Sequence, residues 1–124
     1  MKPSLSTYIG LPYETTDCFQ LAQKFYIEQF EVQLKHYYSE MPEDRQEIEN
    51  LIYSNVGDFD RVDSPEFGDL IILKILGIES HVGVYIGKDN FIHSVKVTGS
   101  CMDRLDRWKG RVTGFYRLKG IRND

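Results

Sequence analysis

The sequence predicts an α+β fold, and three observations carry that expectation. Apolar residues in the first half recur at helical spacing, those in the second half alternate as in strands, and the change falls near Gly68. No repeat, low-complexity tract or Gly/Ser linker divides the halves. The whole chain, residues 1–124, is therefore expected to form one domain in which N-terminal helices pack on an antiparallel sheet.

In chain order, Tyr8 to Thr16 reads as a loop broken by Gly10 and Pro12. Asp17 and Gln20 have the spacing of a capping box, so a helix is expected from there to about Lys35, with Cys18 in its first turn. Leu21, Ala22, Phe25, Gln29 and Val32 share one face of it, apolar but for Gln29. A second helix is predicted from Pro42, a residue tolerated at a helix start, with Ile48, Leu51 and Ile52 at i, i+3 and i+4. Asn55 to Pro65 is polar and reads as a connecting loop.

Asp69 to Ile75 is a nearly continuous apolar run, as expected of a buried strand. From His81 to Ile86 the pattern alternates, with Val82, Val84 and Ile86 on one side and His81, Gly83 and Tyr85 on the other. Gly87 to Asn90 supplies a turn, Asn90 to Val97 the returning strand, and Val112 to Leu118 a last strand. Ser100 to Gly110 is charged and is expected to be irregular or a short helix.

Composition excludes several classes. The 15 basic residues against 19 acidic ones leave a net charge of −4 with no basic run, which argues against nucleic acid as a partner. No window holds the roughly 18 apolar residues of a membrane span. Met1 to Thr7 lacks the apolar stretch of a signal peptide. Two cysteines are too few for a disulfide framework, and no Cys-x-x-Cys or His-x-x-x-His pair offers a metal site. Neither a metal nor another cofactor is expected.

The chemistry concentrates on Cys18. A helix N-terminus presents unpaired N–H groups and the positive end of the helix dipole, which favour a thiolate and can hold an oxyanion. The plain alternative is a small buried apolar residue. A nucleophilic thiol needs a base, and the base needs an orienting partner. Of the three histidines, His36 lies at the end of the first predicted helix and reads as a surface or capping residue, whereas His81 and His93 lie on the two strands of the hairpin. A two-residue turn at Lys88-Asp89 would oppose Gly87 and Asn90 and send the histidines to opposite faces. A three-residue loop, with Ile86 opposite Asn90, puts them on one face, His93 across from Gly83 and about 7–8 Å from His81 at the backbone. Gly83 then leaves space beside both rings. Pattern alone leaves both registers open, along with the reading of two unrelated strand histidines.

Four blocks in order carry a resemblance: Gly10-Leu11-Pro12-Tyr13 before Asp17-Cys18, then Gly68-Asp69-Leu70-Ile71, then His81-Val82-Gly83-Val84-Tyr85-Ile86-Gly87, then Phe91-Ile92-His93-Ser94. Together they resemble the NlpC-type cell-wall cysteine peptidases from about Tyr8 to His93. The resemblance implies a papain-like fold, with Cys18 as nucleophile, His81 as general base and His93 as the residue orienting it. Tyr13 resembles the family's tyrosine near the oxyanion site, and Asp17 falls with it on the substrate side, its main expected job being the helix cap. The implied activity is an endopeptidase acting on peptidoglycan stem peptides without a cofactor, commonly at a bond from D-glutamate to a diamino acid.

The compact form and the stretch from Trp108 to Arg117 are similar to the single-domain hydrolases of phage tail tips and gene-transfer particles. This implies synthesis in a bacterial cytoplasm without a signal peptide and action from a phage-like particle on the wall, beside other tail-tip proteins. One departure is plain: Phe19-Gln20 stands where cellular members have small Ser-Gly. Phe19 therefore bears on cleft shape unless its ring turns into the core. The competing readings are a structural tail-tip protein with the same fold and a thiol amidase or acyltransferase of the same superfamily.

Overall fold

The computed structural model describes residues 2–34, 59–75 and 78–120, with 75 and 78–80 described in backbone alone. The second predicted helix and His36 lie outside the described residues. Helix α1 (Cys18–Phe30) packs on one antiparallel sheet of six strands, β1 (Phe59–Val62), β2 (Leu70–Ile75), β3 (Ile78–Gly87), β4 (Asn90–Val95), β5 (Gly99–Arg104) and β6 (Val112–Leu118). Their order across the sheet is β1-β6-β2-β3-β4-β5. Short 3₁₀ helices cover Leu5–Tyr8 and Leu105–Arg111.

The capping box forms as its spacing predicts. The Asp17 carboxylate accepts from the Gln20 N–H at 2.9 Å, and the Gln20 side chain accepts from the Asp17 N–H at 3.0 Å. The helix ends at Phe30, earlier than Lys35, because Glu31 turns left-handed (φ 58°) and backbone bonds close the end: Glu31 N–H reaches the carbonyls of Ile27 and Tyr26, and Val32 N–H that of Tyr26. Val32 then packs on the core from outside the helix. Gln29, the polar member of the core face, donates to the carbonyl of Pro3 and to the hydroxyl of buried Tyr8. Phe25 is fully buried between Tyr8, Tyr26, Phe30 and Phe67, with ring centroids 5.3–6.2 Å apart. Truncating such a residue to Ala costs about 3–5 kcal/mol.

Strand β2 is buried on both faces, which is why its sequence runs apolar without alternation. Leu70 and Ile72 join the core beneath α1, whereas Ile71 and Leu73 join Phe91 in a second layer under the 3₁₀ helix that carries Leu105 and Trp108. At the start of β2, the buried Asp69 accepts two hydrogen bonds from Arg117 at 2.7 and 3.0 Å and one from the Glu66 N–H, tying the turn to β6.

Two strands depart from expectation. The segment read as a loop contains β1, a polar four-residue edge strand whose anchor is the buried Phe59. The stretch from Ser100, read as irregular or helical, opens with β5, which pairs with β4 along its whole length, from Val95↔Gly99 to Asn90↔Arg104. Gly-Ser-Cys-Met-Asp-Arg has little apolar alternation, since this edge strand buries only its first two residues fully.

Candidate active site

The β3–β4 turn combines the two registers considered from sequence. Lys88 and Asp89 form a two-residue turn with both residues left-handed (φ 53° and 64°), opposing Gly87 and Asn90. A bulge between Tyr85 and Gly87 then shifts the register to Tyr85↔Phe91 and Val84↔Ile92. The extra residue restores the parity that puts His81 and His93 on one face. Gly83 does not leave that face open, because the Phe91 ring lies against it, 2.7 Å from where a Cβ would stand.

The described β3–β4 ladder ends at Val84↔Ile92, so His81 and His93 lie beyond its last pair. The N-terminus of α1 docks at this open end. Ser94 donates its hydroxyl to the carbonyl of Thr16, and the Val82 N–H faces the Cys18 thiol. His81 Nε2 and His93 Nδ1 are 2.8 Å apart, a hydrogen bond in which one ring donates and the other accepts. Both side chains are almost fully buried, at 3% and 1% exposure. Among the described residues, the thiol of Cys18 makes no hydrogen bond to His81.

The electrostatics correct one expectation. The Cys18 thiol pKa is pushed up to about 12, chiefly by burial and then by Asp17. The N–H groups of Val82, Phe19 and Cys18 itself favour the thiolate, as a helix start should, but burial outweighs them. His81 is driven down to about 3 by burial and by His93, and His93 is lowered by burial against the opposing pull of Asp103. These shifts favour the neutral forms of the thiol and of both imidazoles.

Tyr13 is half-buried near the thiol, its pKa raised to about 12 by burial, then by Cys18 and Asp17. Asp17 is buried and its carboxylate serves the helix cap, where burial raises its pKa. The same carboxylate lies near enough to the Cys18 thiol to disfavour its ionisation. Phe19 turns into the main core at 4% exposure. The loop carrying Tyr13 is clamped to β5 by three bonds: Gly10 N–H to the Ser100 carbonyl, Ser100 N–H to the Leu11 carbonyl, and Leu11 N–H to the Ser100 hydroxyl.

Sequence reasoning missed two neighbours of the histidines. Trp108 stacks on His81 (6.2 Å between centroids, 25°) and meets His93 edge-on at 5.1 Å. Its indole N–H donates to Asp103 at 3.0 Å, and Asp103 lies 3.4 Å from His93 Nε2. Neither residue has a local signal, since both owe their place to β5 and the 3₁₀ helix that follows it. Cys101 is a free, half-buried thiol opposite His93 on β5.

The model of the NlpC/P60 family matches residues 7–117. The chain belongs to the NlpC/P60 family. A search of curated proteins finds no match. Among solved structures the chain is similar to the NlpC/P60 domain of the peptidoglycan hydrolase SagA, at TM-score 0.60 and 18% identity over 90% of each chain. It is also similar to a lipoprotein-like NLP/P60 protein of Staphylococcus aureus, at TM-score 0.61 and 19% identity, covering 99% of this chain and 44% of that one. The NlpC/P60 fold is thus the papain-like α+β arrangement expected from the sequence, with the start of α1 docked beside Val82 and Ser94, the neighbours in sequence of His81 and His93.

Proposed function

We propose that this NlpC/P60 protein is a cysteine endopeptidase that hydrolyses amide bonds in the stem peptides of peptidoglycan. The observation that carries the reading is the 2.8 Å His81–His93 bond at the open end of the β3–β4 ladder, where α1 delivers Cys18. Likeness to a peptidoglycan hydrolase domain supports the substrate class.

With thiol and base both neutral at rest, His81 takes the Cys18 proton as the sulfur attacks the amide carbonyl. The proton then passes to the leaving amine, and a water activated by the same imidazole releases the acyl group from sulfur. The N–H groups at the start of α1 face the oxyanion as it forms, and Tyr13 flanks them. His93 holds the His81 ring in place. The burial that raises the thiol pKa also disfavours a free thiolate before substrate enters.

The finer assignment, action from a phage tail tip or gene-transfer particle, rests on the resemblance of the compact chain and its Trp108–Arg117 stretch to such hydrolases. Incubation of the purified protein with peptidoglycan, followed by mass spectrometry of new termini, tests the activity. New stem-peptide termini are expected, and their absence contradicts the reading.

A further inference from the structure

We propose that Asp103 is a positioning residue that sets the direction of the proton in the His81–His93 bond, with Trp108 holding its carboxylate in place. The proposal rests on the reading of Cys18 and His81 as nucleophile and base.

His93 Nε2 is buried and, among the described residues, makes no hydrogen bond, and Asp103 Oδ2 lies 3.4 Å from it. A buried imidazole nitrogen needs such a partner, because an unmet donor costs its full desolvation. The carboxylate is itself fixed: Trp108 Nε1 donates to the same Oδ2 at 3.0 Å and the Arg104 N–H donates to Oδ1 at 3.1 Å. Partial burial works to raise the Asp103 pKa, but these donors and His93 outweigh it and keep the group ionised.

An ionised carboxylate decides between two arrangements of one proton. In the first, His93 carries hydrogen on Nε2, facing Asp103, and accepts at Nδ1 from the His81 Nε2–H. His81 Nδ1 is then left with a lone pair that can take the thiol proton. In the second, His93 Nδ1 donates to His81 Nε2, which places a bare lone pair opposite the carboxylate and the remaining His81 hydrogen on Nδ1. That arrangement is repelled by Asp103 and leaves His81 with no free nitrogen to act as base. Asp103 selects the first. No covalent step is added: the single proton removed from sulfur resides on His81 Nδ1 until the leaving amine takes it.

The two changes Asp103→Leu and Asp103→Asn test this. Leu removes the acceptor, whereas Asn keeps the shape and a neutral carbonyl for the Trp108 N–H. Asp103 lies on an edge strand and is 27% exposed in its side chain, so neither change empties the core. Long-range ¹H–¹⁵N correlation spectra of the labelled protein read the histidine tautomers without any substrate. Wild type is expected to show His93 protonated on Nε2 and His81 on Nε2. Asp103→Leu is expected to lose that preference at both rings, with Asp103→Asn in between. On a soluble muropeptide, kcat should fall roughly ten- to hundredfold for Leu with KM nearly unchanged, by analogy with the loss of a carboxylate that orients a metal-ligating histidine. Wild-type tautomers in the Leu variant, or in the Asn variant should Leu fail to fold, overturn the proposal. So does an unaltered kcat with altered tautomers. Altered tautomers in a protein that cleaves no muropeptide at all uphold the positioning and sink the peptidase reading instead.

Discussion

His81 and His93 share a 2.8 Å hydrogen bond although the ladder between their strands has ended at Val84 and Ile92. The bond orients His81 without needing His93 to touch the reacting atoms. His81→Ala should therefore abolish cleavage nearly completely, whereas His93→Ala should keep a kcat roughly tenfold or more above that of His81→Ala, since an orienting residue contributes less than the base it orients. Muropeptide kinetics on the two variants check the order, and a more damaging His93 change would reverse the assigned roles.

Thiol labelling separates the two cysteines. Cys18 is buried with its pKa near 12, while Cys101 is half-buried on an edge strand. Reactivity follows thiolate fraction and access together. Iodoacetamide at pH 7.5 should therefore label Cys101 first in the unliganded protein, as read by peptide mapping. Faster labelling of Cys18 would show that the thiol is open and activated before substrate arrives.

Acid stability follows from the histidines. Both have folded pKa values below the ordinary 6.5, His81 down to about 3. The unfolded chain consequently binds more protons below pH 6.5, so stability is full above that pH and falls as pH drops toward the folded values. The slope approaches about 1.4 kcal/mol per pH unit for each histidine. Urea midpoints should hold steady from pH 8 to 7 and decline from 6.5 to 5, less so in His81→Phe. Identical pH dependence in the variant would contradict the burial of His81 as a neutral ring.

The loop clamp makes a further stability prediction. A Cβ on Gly99 would stand 2.3 Å from the Leu11 carbonyl, and the residue is left-handed at φ 76°. Gly10 has open space around it, though its φ is 84°. Gly99→Ala should thus cost roughly 2–4 kcal/mol and loosen the Tyr13 loop, while Gly10→Ala should cost only about 1–2 kcal/mol of backbone strain. Denaturation of the two variants measures the difference, and equal costs would mean the clamp is not tight.

Much of this was legible in the sequence because the signals were local. Asp17 and Gln20 announced the cap, and the alternation from His81 to Ile86 fixed which residues share a face. The hairpin was legible only as a parity condition, since a two-residue turn with a bulge and a three-residue loop leave the histidines on the same side. The helix end, β1 and β5 were not legible, because a left-handed Glu31 and polar edge strands take their conformation from tertiary contacts. Asp103 and Trp108 were hidden for the same reason, as they reach the histidines through β5. The thiol's raised pKa was equally invisible: the helix-start effect is local, and the burial that outweighs it is not.

The most direct measurement compares wild type and Cys18→Ala on purified peptidoglycan, with mass spectrometry of the released stem peptides. Wild type is predicted to create new peptide termini and Cys18→Ala, folded by its spectrum, to create none. Equal digestion by the two proteins would contradict the account at its centre.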